Sequence, residues 1–161
     1  MTIIFITGLS GVGKTSVLER LKKDGYNVID TDYGYITIKN TGGVEERVWD
    51  EDKIKRLLNS SKEENLFLSG CYSNQGKFYS YFEHVVLLKA DLNVMLERIN
   101  KRRSHDYGKS EEERSEIMDS YEHVLPLLET RSDVIIDTTH SDIETVCNRL
   151  KELVSGDLRN A

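Results

Sequence analysis

Apolar residues fall along the chain in two kinds of run, and the two alternate. Ile3 to Thr7 is continuous, apolar and β-rich, the pattern of a strand covered on both faces. Lys14 to Lys23 follows with Val17, Leu18 and Leu21 at helical spacing, and Asp24-Gly25 closes it. Tyr26 to Asp30 reads as a second strand. Residues 31–43 contain Gly34, Gly42 and Gly43 and read as a loop. Val44 to Asn59 reads as a helix whose inner side is Val48, Ile54, Leu57 and Leu58. Leu66 to Ser69 is a third strand, stopped by Gly70, and Val85 to Leu88 a fourth. Leu92 to Ile99 is helical, with Leu92, Met95, Leu96 and Ile99 on one side. Residues 100–114 are dense in charge and hold no aliphatic core residue, so this stretch reads as solvated. Ile117 to Leu128 resumes helical periodicity, with Pro126 leaving its far end open. Val134 to Asp137 is a fifth strand and Ile143 to Val154 a closing helix, capped by Ser141 or Asp142.

Strands alternating with helices imply crossover connections and a parallel sheet. The expected architecture is α/β: three layers, α/β/α, around a five-stranded parallel sheet. No internal repeat, low-complexity tract or linker interrupts the chain, so residues 1–161 read as one domain. In such sheets ligands sit beyond the C-terminal ends of the strands. Those ends are Thr7-Gly8, Asp30-Thr31-Asp32, Ser69-Gly70-Cys71, Leu88-Lys89 and Asp137-Thr138-Thr139, which are mostly polar or glycine.

Composition narrows the function classes. A net charge of −6 argues against a broad nucleic-acid surface. Cys71 and Cys147 cannot make a disulfide framework and read as reduced thiols. No segment reaches the ~20 apolar residues of a membrane span. The apolar opening lacks a basic start and a cleavage site, so the expected location is cytoplasmic. His84, His105, His123 and His140 show no metal-ligand spacing.

The strongest chemical signal is Gly8-Leu9-Ser10-Gly11-Val12-Gly13-Lys14-Thr15, a full match to the phosphate-loop pattern G-x-x-x-x-G-K-[ST]. The glycines admit positive φ and close backbone approach, so successive N–H groups can form an anion nest. The following helix, from Lys14, Thr15 and Ser16 onward, adds its positive end. Lys14 supplies a mobile cation for the β- and γ-phosphates, and the Thr15 hydroxyl suits Mg2+. A strand before the motif and an amphipathic helix after it complete the required context. The expected cofactors are ATP and Mg2+. No N-K-x-D guanine-reading motif occurs, and the third strand ends in Ser69-Gly70 rather than in the acidic pair usual for an ATPase motor.

With these residues in place, the sequence resembles the small P-loop kinases of the shikimate kinase, gluconate kinase and nucleoside monophosphate kinase type, with their P-loop nucleoside triphosphate hydrolase fold. Val28-Ile29-Asp30-Thr31-Asp32 is similar to the shikimate kinase segment after the second strand. The resemblance implies Asp30 for Mg2+, through water, and Asp32 for the acceptor hydroxyl. It implies an acceptor-binding segment at about 31–60 and a lid at about 100–114. Arg98 and Arg102, with Arg103, resemble the lid arginines that clamp the transferring phosphoryl group; Lys109 and Arg114 are further candidates. Asp137-Thr138-Thr139-His140 resembles the segment whose backbone lies along adenine, which makes Thr138 a cofactor-side residue.

The acceptor side departs from that pattern. Val124 stands where shikimate kinases carry a carboxylate-binding arginine, and their triple glycine is reduced to Ser69-Gly70-Cys71. Both departures argue against shikimate as the acceptor. Tyr33, Tyr35, Trp49, Tyr72, Phe78, Tyr79 and Tyr81 fall in segments near the expected acceptor cleft. Candidate acceptor contacts are Asp32, Tyr33, Arg47, Gly70 and Cys71. The expected activity is phosphoryl transfer from ATP to a small molecule, either a hydroxylated metabolite or a nucleoside monophosphate. The rival is a nucleotide-binding regulator or weak ATPase with no metabolite acceptor. The only expected partner besides the acceptor is a second copy; monomer and homodimer both stay open.

Overall fold

Why the sheet forms where it does is visible in β1 (Ile3–Thr7), whose five residues are all buried. Alternate side chains enter opposite faces. Ile4 and Ile6 belong to one hydrophobic cluster, with Val17, Leu21, Met95 and Leu150. Ile3 and Phe5 belong to another, with Trp49, Ile54, Phe78 and Phe82. A strand with a core on each side must lie in the middle of the sheet, and β1 does. The computed structural model describes residues 2–60, 65–101 and 109–159.

The remaining elements are α1 (Lys14–Lys23), β2 (Asn27–Asp30), β3 (Ile36–Thr41), β4 (Val44–Trp49), α2 (Glu51–Ser60) and β5 (Leu66–Ser69). A 3-10 helix over Gln75–Tyr81 follows, then β6 (His84–Lys89), α3 (Leu92–Lys101), α4 (Glu111–His123), α5 (Leu125–Arg131), β7 (Val134–Asp137) and α6 (Ile143–Arg159). Five strands pair in parallel in the order β2-β5-β1-β6-β7, with helices on both faces in three layers. That is the expected architecture. The register sets Asp30 beside Ser69 and Ser69 beside Ile6. The ends of β2, β5 and β1 therefore open onto one edge.

Three local readings need correction. Residues 36–49 form an antiparallel hairpin, not a loop running into a helix. Gly42 and Gly43, at φ 58° and 83°, make its two-residue turn, which requires left-handed backbone at both positions. The helical spacing of Val44, Val48 and Ile54 misleads here. Trp49 closes the hairpin, and α2 begins only at Glu51, whose first turn carries Glu51 and Asp52 at the positive helix end. Next, Ile117 to Leu128 is not one helix. Pro126 cannot continue α4 and sits in the first turn of α5, so the chain breaks at Val124. Finally, both ends of the expected 100–114 lid are helical. Lys101 ends α3, and Ser110 caps α4 by accepting from the Glu113 N–H at 3.2 Å. Residues 102–108, with Arg102 and Arg103, lie outside the described residues.

Candidate functional site

The phosphate loop leaves β1 and enters α1 through three glycines in left-handed or extended backbone. Gly8 and Gly11 are also held by close approach. A Cβ on Gly8 would lie 2.4 Å from the Leu88 carbonyl oxygen, and one on Gly11 would lie 2.7 Å from that of Met95. The loop is thus pressed against β6 and α3. Gly13, at φ 102°, starts α1 with no side-chain cap, which leaves the first-turn N–H groups to an anionic ligand. Leu9 and Val12 turn into the core, at 6% and 1% exposure, so they offer a ligand only backbone. Lys14 folds over the loop and donates to the carbonyls of Gly8 and Leu9. Thr15 and Ser16 are exposed on the first turn of α1.

A cavity of about 570 Å³ opens beside this loop. Gly8, Leu9, Ser10 and Lys14 form one wall; Asp32, Tyr33 and Arg47 form another, with Cys71 and Tyr72 after β5. Ile117 and Ser120, three residues apart on one face of α4, add a further side. Of the expected acceptor contacts, four line the cavity and Gly70 does not. Gly70 is buried beneath it, where a Cβ would lie 2.4 Å from Thr31 Oγ1 and 3.3 Å from the Trp49 ring. Arg47 comes from β4 rather than from a helix.

Asp30 and Asp32 are shaped by a turn. The Asp32 N–H donates to Asp30 Oδ1 at 2.9 Å, and the Tyr33 N–H to the Asp30 carbonyl at 3.2 Å. Asp32 also accepts from the Tyr72 hydroxyl. Burial first, then the neighbouring Asp32 carboxylate, push the Tyr72 phenol well above the ordinary tyrosine value.

Arg98, expected as a phosphoryl clamp, does not line the cavity. Its guanidinium donates to Thr138 Oγ1 at 3.0 Å, to the Thr138 carbonyl and to the Gly11 carbonyl at 3.3 Å. The cause is the planar, multi-donor fork of arginine, which here bridges two backbone segments. Thr138 is itself buried and donates to the Val12 carbonyl at 2.8 Å. Its side chain ties the β7 end to the phosphate loop.

The seven aromatic residues divide. Tyr33 and Tyr72 line the cavity. Trp49 and Phe78 are core, packing edge-on at 5.8 Å between ring centres. Tyr79 packs under the Arg131 guanidinium. Composition alone does not separate these groups; their positions relative to the hairpin do.

Sequence reasoning missed Gln75. It is 3% exposed, and its amide donates to Thr7 Oγ1 at 3.1 Å and Tyr79 Oη at 2.9 Å while accepting from the Tyr72 N–H at 2.9 Å. A polar residue among the aromatics at 72–82 is the only sequence signal. Ile117 and Ser120 were also missed, because their approach depends on the α4 crossing.

Residues 4–119 match the AAA domain family AAA_18. The chain belongs to that family. The chain is 27% identical over 171 residues to a nucleotide-binding protein of Petrotoga mobilis, covering 98% of this chain and 54% of that protein. It is 26% identical over 170 residues to a nucleotide-binding protein of Saccharophagus degradans, covering 98% of this chain and 55% of that protein. The chain thus spans about half the length of these curated relatives. Among solved structures, a shikimate kinase from Bacteroides thetaiotaomicron superposes with a TM-score of 0.62 at 21% identity, over 96% of this chain and 98% of that one. Shikimate kinase from Acinetobacter baumannii, in complex with shikimate, gives 0.67 at 16% identity, over 98% and 94%. The AAA domain here therefore has the fold of the small P-loop kinases. No helix among the described residues is long and apolar enough to cross a membrane.

Proposed function

We propose that this AAA domain transfers the γ-phosphoryl group of ATP to a hydroxyl of a small molecule. The observation that carries the reading is the single cavity in which the phosphate loop and Lys14 face the Asp32 carboxylate. The loop N–H groups and Lys14 hold the phosphates. Asp32 orients the acceptor hydroxyl and takes its proton late in transfer. Arg47, a cation on the same wall, fits an acceptor that also bears an anionic group, and Tyr33 offers an exposed ring for stacking.

The donor set fits Mg2+. A Thr15 hydroxyl and an Asp30 carboxylate are hard oxygen ligands, and magnesium binds through one or two such groups plus phosphate and water. When bound, the ion would neutralise charge on the β- and γ-oxygens.

The test is Asp32→Asn in a screen of nucleotides, sugars and hydroxy acids, followed by ADP release above the no-acceptor background. A kinase loses acceptor-dependent turnover, on the order of 100-fold, and keeps its affinity for Mg–ATP. If no acceptor raises turnover, the second reading prevails: a nucleotide-binding regulator or weak ATPase. That the longer relatives are known as nucleotide-binding proteins favours that alternative.

A further inference from the structure

We propose that Tyr72 is a positioning residue for Asp32, and that the chain of side chains Thr7, Gln75, Tyr72 and Asp32 fixes the acceptor carboxylate relative to the phosphate loop. The inference rests on the reading of Asp32 as the acceptor's partner.

Thr7 is the last residue of β1, immediately before Gly8, and is fully buried. Gln75 bonds to it and to Tyr79 with its two N–H groups, and its amide oxygen takes the Tyr72 N–H. A buried amide so engaged cannot rotate without losing several hydrogen bonds at once. The Tyr72 ring leans on Trp49, with ring centres 6.3 Å apart, and its hydroxyl donates to Asp32 Oδ1. No other donor among the described side chains is hydrogen-bonded to the Asp32 carboxylate, which otherwise sits exposed on a surface turn. An exposed aspartate samples several rotamers; one locked through a single oxygen presents the other in a fixed direction. The buried network thus carries the rigidity of β1 to a carboxylate that its own turn holds only by backbone. Merely hydrogen-bonding a half-buried phenol would not require Tyr72 itself to be tethered by Gln75.

The experiment follows single-turnover ADP release from Mg–ATP with water as the acceptor, in wild type, Tyr72→Phe, Asp32→Asn and the double variant. Tyr72→Phe should slow release about tenfold, and Asp32→Asn on the order of 100-fold, with ATP affinity unchanged in both. Because Tyr72 acts through Asp32, the double variant should be no slower than Asp32→Asn alone. The 13Cζ resonance of Tyr72, assigned by its loss in Tyr72→Phe, should move in Asp32→Asn. A Tyr72→Phe rate equal to wild type overturns the proposal and leaves the kinase reading standing. So does a tenfold effect that persists in the Asp32→Asn background, which marks a structural role. If Asp32→Asn itself leaves this water-acceptor rate unchanged while ATP still binds, Asp32 does not act on the attacking oxygen and this proposal falls, while the kinase reading stands or falls with the acceptor-dependent rate.

Discussion

Replacing Gly70 by alanine tests how the acceptor wall is built. Gly70 needs no left-handed backbone, so the substitution adds only a methyl group, and any cost is steric. That methyl would sit 2.4 Å from Thr31 Oγ1 and 3.3 Å from the Trp49 indole. Both neighbours are fixed. Trp49 Nε1 donates to Thr31 Oγ1 at 2.8 Å, and Thr31 Oγ1 donates to the Ser69 carbonyl at 2.7 Å. Trp49 is further clamped by Asn74, which accepts from its N–H at 3.1 Å and donates to its carbonyl at 3.0 Å. The methyl therefore either strains the packing, at about 1–3 kcal/mol, or breaks the Thr31 to Trp49 bond, leaving a buried N–H unsatisfied at about 1–3 kcal/mol.

By either route the cost is about 1–3 kcal/mol. For a chain of this size that is a fall in melting temperature of about 2–12 °C. The chain has one tryptophan, so intrinsic fluorescence reports this position alone. Urea unfolding should show the loss of stability, and native emission should shift to the red as the indole loosens. Thr31→Ala in the same chain removes the atom being struck, so Gly70→Ala should cost markedly less in that background. A Gly70→Ala protein within about 0.5 kcal/mol of wild type, with unshifted emission, would refute the claim that Gly70 is there to admit Thr31 and Trp49.

Gly11→Ala combines φ 86° with a methyl 2.7 Å from the Met95 carbonyl oxygen, so the loop must leave α3; Mg–ATP affinity measured by calorimetry should fall at least tenfold. Arg98→Ala removes the bridge from Gly11 to Thr138, and hydrogen exchange of the loop amides should accelerate while the amides of Asp32, Tyr33 and Arg47 on the facing wall are unaffected. Lys151 donates to Asp24 at 2.7 Å, joining α6 to the end of α1. Its hydrogen bond is the largest cause holding the Asp24 carboxyl below 3.8, and the Lys151 ammonium is held above 10.5 in return. A depressed carboxylate contributes stability above its unfolded value and loses it as pH falls through the folded one. A raised ammonium contributes below its unfolded value and loses it as pH rises through the folded one. The stability gap between wild type and Lys151→Met should therefore be flat between those two ranges and shrink at both extremes, as read by urea unfolding across pH.

What could be read in advance follows the range of the interactions involved. The phosphate loop is local: strand, glycines, lysine and helix lie within residues 3–23, and their spacing states the chemistry. The central strands β1, β5 and β6 were legible because each is a short apolar run with no period, as strands covered on both faces tend to be. The hairpin was not, although Gly42-Gly43 is a two-residue turn signal. Most of β3 and β4 is exposed, so no alternation marks them, and Val44 and Val48 imitate a helix. The surroundings of Arg98 were not legible for a related reason: its partners Gly11 and Thr138 are 87 and 40 residues away. Only the fold reveals that its guanidinium bridges these two segments.

The same division separates the two halves of the site. On the proposed reading, the triphosphate is gripped by the loop between β1 and α1, largely through backbone features that many sequences can supply. Apart from Ile117 and Ser120 on α4, the rest of the cavity wall hangs on residues 30–49 and 71–75: a turn, an exposed hairpin and the start of a short 3-10 helix, joined by Trp49, Asn74, Gln75 and Tyr72. Trp49 pins the hairpin to the core, and Tyr72 reaches back to Asp32. A shared fold with shikimate kinases therefore carries over the nucleotide half and not the acceptor half. On the proposed reading, the side chains Asp32, Tyr33, Arg47 and Tyr72 set the acceptor specificity, and exchanging the hairpin should alter the acceptor while leaving ATP binding intact.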